Sequence, residues 1–142
     1  MIIDFHTHMF PDKIAARTIA SLSKTGDNMH PFTDGTAEGL KKSTEQADID
    51  CSIVLPIATK PSQFDSINEF ASHFQEGTLI SFGSLHPEDI NYKEELRQIR
   101  DMGMKGIKLH PDFQDTYFND IRYKRIISYA TELGMIVSVH AG

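Results

Sequence analysis

The chain has one cysteine, no long apolar run and no excess of positive charge, and each shortage narrows what it can be. A single Cys51 cannot close an internal disulfide, and it excludes a zinc site built from cysteines. Cys51 reads instead as a small buried apolar residue in a strand. Lys and Arg number 14 against 20 Asp and Glu, so the formal charge is −6. That balance lacks the basic stripe a nucleic-acid binder needs. No apolar run approaches the roughly 18 residues of a membrane span. The opening Met1-Ile2-Ile3-Asp4 has neither the basic region nor the apolar core of a signal peptide, so the cytoplasm is the expected location. Low-complexity linkers and solenoid repeats are absent too. With 142 residues, 39% of them hydrophobic, the chain fits one compact domain over residues 1–142.

Short apolar runs alternate with stretches of helical spacing. Ile2–His6 reads as a strand. Pro11-Asp12 opens a helix with Ala15, Ile19 and Leu22 on one side. Residues 24–35 read as a loop. Ala37, Leu40, Thr44 and Ala47 form a second helical stripe. Ser52–Leu55 is a strand stopped by Pro56. Phe64, Ile67, Ala71 and Phe74 mark a helix that Gly77 closes. Leu79–Leu85 is a third strand. Leu96, Ile99 and Met102 mark a helix ending at Gly103. Gly106–His110 is a fourth strand, Ile126, Ala130 and Leu133 mark a helix ending at Gly134, and Met135–His140 is a fifth strand. Strands alternating with helices imply right-handed βαβ units and a parallel sheet. No Gly-x-Gly-x-x-Gly follows the first strand, so a dinucleotide fold is disfavoured. The expected fold is α/β: a partial (β/α)₈ TIM barrel of about five parallel strands with intervening helices.

Barrel enzymes keep their chemistry at the C-terminal ends of the strands. Of the 7 histidines, His6, His8, His86, His110 and His140 fall at or just past a predicted strand end. His73 lies on a helix and reads as solvated, and His30 lies in a loop. Side chains alternate across a strand. Asp4, His6 and His8 then share a face opposite Ile3 and Phe5. Lys108 and His110 oppose Ile107 and Leu109, and Ser138 and His140 oppose Val137 and Val139. The apolar sets can pack under helices while the polar sets point inward. A divalent metal is the simplest reason for converging imidazoles, with Zn2+ the leading candidate and His6, His8 and His140 as ligands.

Asp4-Phe5-His6-Thr7-His8-Met9-Phe10-Pro11 resembles the strand-one signature of the amidohydrolase superfamily, in the amidohydrolase-related branch that holds hydrolases and aromatic-acid decarboxylases. Ser84–Glu88, Gly106–Pro111 and Val137–Gly142 resemble that branch's strand-three, strand-four and strand-five segments. The resemblance covers the whole chain and says little about substrate. It implies a mononuclear or binuclear metal centre at which a bound water attacks a polarised carbon. It carries metal ligation onto His6, His8 and His140. It also implies a strand-six His and a strand-eight Asp, which this chain does not contain. In binuclear members a strand-four lysine is carboxylated and bridges two metals. Lys108 sits in a similar context, with pairing to a carboxylate such as Asp4 as the plainer reading. His110 is a candidate to polarise a substrate carbonyl or to support the metal shell. His86 is a weaker candidate that could instead cap its loop, and Asp4 reads as a supporting carboxylate.

A (β/α)₈ barrel uses about 250 residues, about 31 per unit. Five strands therefore read as the N-terminal part of such a barrel, with little activity expected from the fragment alone. Assembly of copies, a homo-oligomer, would complete the sheet. The expected activity is metal-dependent hydrolysis of a C–N or C–O bond in a small molecule. Decarboxylation on the same platform is an alternative. PHP or TatD-like phosphoesterase chemistry is another, because those groups also begin Asp-x-His-x-His. A non-catalytic metal-binding fragment is the reading from a different class.

Overall fold

The protein is described here by a computed structural model covering residues 1–25 and 30–141. Part of the loop expected over 24–35, residues 26–29, lies outside the described residues, as does Gly142 at the end of the strand-five resemblance. The element order is β1 (Ile3–Thr7), α1 (Asp12–Thr25), α2 (Ala37–Gln46), β2 (Cys51–Val54), a 3₁₀ turn (Pro61–Gln63), α3 (Phe64–Ser72), β3 (Leu79–Ser81), β4 (Gly83–Ser84), α4 (Tyr92–Asp101), β5 (Gly106–Leu109), α5 (Ile121–Glu132) and β6 (Ile136–Val139). β1 pairs β2, β4 pairs β5 and β5 pairs β6, all in parallel. The α/β class with a parallel sheet follows as the sequence implies. No helix among the described residues is long and apolar enough to cross a membrane.

Contacts divide the chain into two compact units, Met1–Val54 with Glu76–Ile80, and Leu55–Gln75 with the chain from Ser81 onward. The first unit holds a sheet in the order β1-β2-β3. Met9, Ala15, Leu40, Ile53, Val54 and Leu79 are its buried apolar residues. Thr36 caps α2, its hydroxyl accepting from the Gly39 N–H at 3.0 Å. The Asp34 carboxylate accepts from both the N–H and the O–H of Thr36, which holds its pKa below the ordinary value. Thr44 on α2 and Ser52 on β2 share a buried hydroxyl contact of 2.8 Å, so the helix is tied to the sheet by a polar bond as well as by Leu40.

The second unit holds a sheet in the order β4-β5-β6. Leu85, Leu96, Ile99, Ile107, Leu109 and Ile126 are wholly buried at its centre. Each such side chain contributes on the order of 1.5–3 kcal/mol by leaving water. The α4 and α5 stripes read from the sequence face this core, with Leu96, Ile99, Ile126 and Ala130 buried. Both helices stop where a glycine can turn the chain. Gly103 at φ +94° follows the cap Met102, and Gly134 at φ +70° follows the cap Leu133.

Several expectations need correction. The third strand is two strands, β3 and β4, broken at Phe82. β3 continues the first sheet and β4 starts the second, and the ladder changes partner between them. Gly77, at φ +84°, is not the cap of α3. The helix ends at Ser72 with His73 as its cap, and Gly77 turns the chain ahead of β3. Ile3 and Phe5 do not pack under a helix; they are 49% and 46% exposed, on a strand that forms one edge of its sheet. Cys51 lies in β2 as expected but is half-buried rather than buried.

Candidate active site

The site residues divide between the two units, and each group is described within its own. In the first unit, β1 does not keep strict alternation. Asp4 registers with Ser52 and Thr7 with Val54, so three steps on β1 match two on β2. This extra residue is the kind of irregularity that re-aims a side chain at a strand end. Thr7 turns inward, is buried and donates its hydroxyl to the Ile53 carbonyl at 2.9 Å. The Asp4 carboxylate accepts from the His6 N–H at 3.1 Å. His6 and His8 remain exposed and close together, with ring centroids 5.1 Å apart and planes at 66°. A metal–nitrogen bond of about 2.1 Å puts an ion about 3 Å from each ring centre. One ion can therefore reach both rings, and the donor set fits a divalent metal. Among the described residues no group of three or more His, Cys, Asp or Glu is gathered at metal-binding geometry.

In the second unit three histidines follow strands: His86 after β4, His110 after β5 and His140 after β6. Gly83 registers with Ile107 and Ser84 with Lys108, and His86 follows two residues after β4. Leu109 registers with Val139, which carries forward to His110 beside His140. This pair is stacked, with centroids 4.0 Å apart and planes at 10°. Phe113 covers the other face of His110 at 4.1 Å and 9°. The His110 ring is thus clamped between two flat groups. Its Nδ1 accepts the Phe113 N–H at 3.4 Å. In the same way, His86 Nδ1 accepts the Glu88 N–H at 3.3 Å, so this ring does cap its loop.

Burial dominates the electrostatics of His86 and His110. It pushes the pKa of His86 down, opposed by Glu88 and Asp89 and assisted by Arg122. Burial also pushes His110 down, assisted by His140 and Lys108. Lys108 is only 1% exposed, and burial alone lowers its pKa. Its ammonium forms no ion pair among the described residues of its unit.

A residue that the sequence reading passed over holds these strand ends together. Gln114 is buried, and its carboxamide meets four partners. Oε1 accepts from the His110 N–H at 3.0 Å and the Tyr123 O–H at 2.6 Å. Nε2 donates to the carbonyls of Ala58 at 2.8 Å and Leu85 at 2.9 Å. Asn68 and Ser84 tie β4 to α3 and β5 in a similar way. Asn68 exchanges two hydrogen bonds with the Ser84 backbone, and the Ser84 hydroxyl donates to the Lys108 carbonyl. Gln114 sits in a polar loop, where nothing in the local sequence separates a buried amide from a solvated one. Of the outlying histidines, His73 is exposed at the end of α3, and His30 is exposed with its ring 6.2 Å from Phe32.

The amidohydrolase family profile matches residues 3–142. No curated protein matches the chain. Among solved structures it is similar to an amidohydrolase II at 18% identity and a TM-score of 0.73, over 99% of this chain and 50% of that one. It is similar at 14% identity and a TM-score of 0.73, again over 99% and 50%, to 5-carboxyvanillate decarboxylase of Novosphingobium aromaticivorans, solved with manganese and 4-hydroxy-3-methoxy-5-nitrobenzoic acid. An uncharacterised TIM-barrel protein of Bordetella bronchiseptica matches at 15% identity and a TM-score of 0.64, over 97% of this chain and 54% of that one. The chain spans about half the length of these proteins, with the fold of part of a TIM barrel. A match over nearly every residue, in an α/β chain whose histidines gather at strand ends, shows that the chain belongs to the amidohydrolase family.

Proposed function

We propose that this chain contributes the metal-binding and substrate-contacting first part of a metal-dependent hydrolase acting on a C–N or C–O bond of a small molecule. The observation that carries the proposal is the His6–His8 pair, two imidazoles 5.1 Å apart just where β1 ends. These two would hold the metal, and His140 is the further ligand that the family resemblance assigns. When bound, a divalent ion supplies Lewis acidity to polarise the substrate and activate water. Zinc and manganese both suit such a site. His110 would donate a hydrogen bond to the substrate oxygen. Phe113 and His140 hold its ring flat, which limits the motion that would otherwise weaken that bond. Lys108 would add a buried positive charge on the same face of β5 as His110.

Decarboxylation is the second reading, supported by the likeness to a manganese-bound decarboxylase. The product separates the two: carbon dioxide in one case, a cleaved amide or ester in the other. The first test is metal uptake. The purified chain is loaded with Mn2+ or Zn2+, desalted and analysed for metal beside His6→Ala and His8→Ala. About one ion per chain is expected in the parent, with a loss of tenfold or more affinity in each variant. Equal uptake by all three proteins would remove the assignment.

A further inference from the structure

We infer that α5 braces the candidate site, with Arg125 and Tyr123, the latter through Gln114, as positioning residues that fix the two His-Pro turns following β4 and β5. The inference deepens the proposed function and rests on it in one respect, the contact of His110 with substrate.

The two turns are built alike. Each opens on a histidine followed by proline, His86-Pro87 and His110-Pro111. In the first, the His86 carbonyl accepts from the Asp89 N–H at 3.1 Å, and the ring Nδ1 accepts from the Glu88 N–H at 3.3 Å. In the second, the His110 carbonyl accepts from the Gln114 N–H at 3.0 Å, and the ring Nδ1 accepts from the Phe113 N–H at 3.4 Å. Ring and turn are therefore tied to each other, and whatever holds the turn holds the imidazole. Such local bonds do not fix a turn by themselves, because water offers its polar groups nearly equal partners.

The outside holds come from α5. Arg125 Nη2 donates to the carbonyls of Pro87 at 3.1 Å and Asp89 at 3.0 Å, on either side of Glu88. Its guanidinium lies 4.6 Å from the centre of the Tyr92 ring on α4, which limits its swing. Its Nε is buried without a hydrogen-bond partner. An arginine kept there with one donor unmet lowers stability at that point, so packing does not account for it, whereas its reach to the turn does. Two residues earlier on the same helix, Tyr123 is wholly buried and donates to Gln114 Oε1 at 2.6 Å. That oxygen also takes the His110 N–H, and Gln114 Nε2 reaches the carbonyl of Leu85, the residue before His86. Both histidine seats thus refer to the first two turns of one helix. Such fixing matters because a contact misplaced by about 1 Å can cost about a hundredfold in rate.

The test reads backbone amides and histidine rings of the metal-free 142-residue chain by NMR. Arg125→Met should shift the Glu88 and Asp89 amides and the His86 ring. It should also cut the protection of the Asp89 amide against hydrogen exchange about tenfold or more, with the Phe113 amide and the His110 ring unmoved. Arg125→Lys, a milder change that keeps the charge without the planar group lying on Tyr92, should move the same signals. Tyr123→Phe should instead move the His110 amide and ring and leave Glu88 and Asp89 in place. Ile126→Val, a buried change on the same helix, is the control for stability alone: it should lower the urea midpoint and move neither turn. The inference is overturned if Arg125→Met and Arg125→Lys leave Asp89 and His86 in place, or if Tyr123→Phe leaves His110 in place. It is overturned equally if Ile126→Val moves both turns as far. None of these signals needs a metal, so failure of the brace and failure of the proposed function, read by metal uptake, stay distinct.

Discussion

At the scale of single residues, the second unit depends on a few buried polar groups that must all find partners. Gln114 is the clearest case. Gln114→Ala would strand the Ala58 and Leu85 carbonyls, the His110 N–H and the Tyr123 hydroxyl in the interior. The expected loss is about 2–4 kcal/mol, read as a lower urea midpoint. Burial already pushes the Tyr123 phenol well above its usual pKa, so ionisation offers it no substitute for the lost partner. Glu95, buried at the start of α4, makes a different prediction. Burial first, then Asp89 and Asp65, push its carboxyl up to about 8, and one oxygen has no hydrogen-bond partner. The ordinary value is 4.5, so the folded state holds this proton across an interval in which the unfolded chain has released it. The Glu95 contribution to stability should therefore fall as pH rises from about 4.5 to about 8, and level off above that. Melting temperatures of parent and Glu95→Gln measured across the same interval should diverge by that component, the parent losing stability relative to the variant as pH rises.

At the scale of elements, the strand ends are set by close approach. A Cβ on Gly106, which opens β5, would lie 2.5 Å from the Phe82 ring and 2.6 Å from the Ile136 carbonyl oxygen. The ring can shift a little, but the carbonyl is backbone on the paired strand β6. Gly106→Ala should cost about 1–3 kcal/mol in denaturant unfolding. It should also broaden the His110 and His140 resonances, because the β5–β6 ladder sets their stacking. A full-strength His110 signal with unchanged stability would contradict this account. The elements themselves were largely legible in the sequence. Helical stripes such as Leu96–Ile99 and Ile126–Ala130 marked the buried faces, and Gly103 and Gly134 marked the stops, because a 3.6-residue period and a positive φ are local properties. The break at Phe82 was not legible. A run from Leu79 to Leu85 looks the same whether it pairs with one sheet or two, since partner choice is not written in the run.

At the scale of the whole molecule, a bound metal should act as a stabiliser. At a free metal concentration 100 times Kd the gain is about 2.7 kcal/mol. Mn2+ should therefore raise the melting temperature of the parent chain by several degrees and leave His6→Ala and His8→Ala unmoved. An equal shift in all three would point to binding elsewhere. The sequence alone determined the α/β class, the parallel order and the placement of five histidines at strand ends, because alternation, helical period and turn residues act over a few neighbours. It also marked the family, through motifs such as His6-Thr7-His8 and Lys108-Leu109-His110-Pro111. Only the tertiary structure decided which groups meet. The Asp4–Thr7 irregularity, the clamp of Phe113 and His140 on His110, and the four bonds of Gln114 each depend on segments distant in the chain or on a local departure from regular geometry. A hydrogen bond between residues 56 positions apart, like that from Gln114 to Ala58, leaves no period in the sequence. It exists only once the strands have been brought side by side.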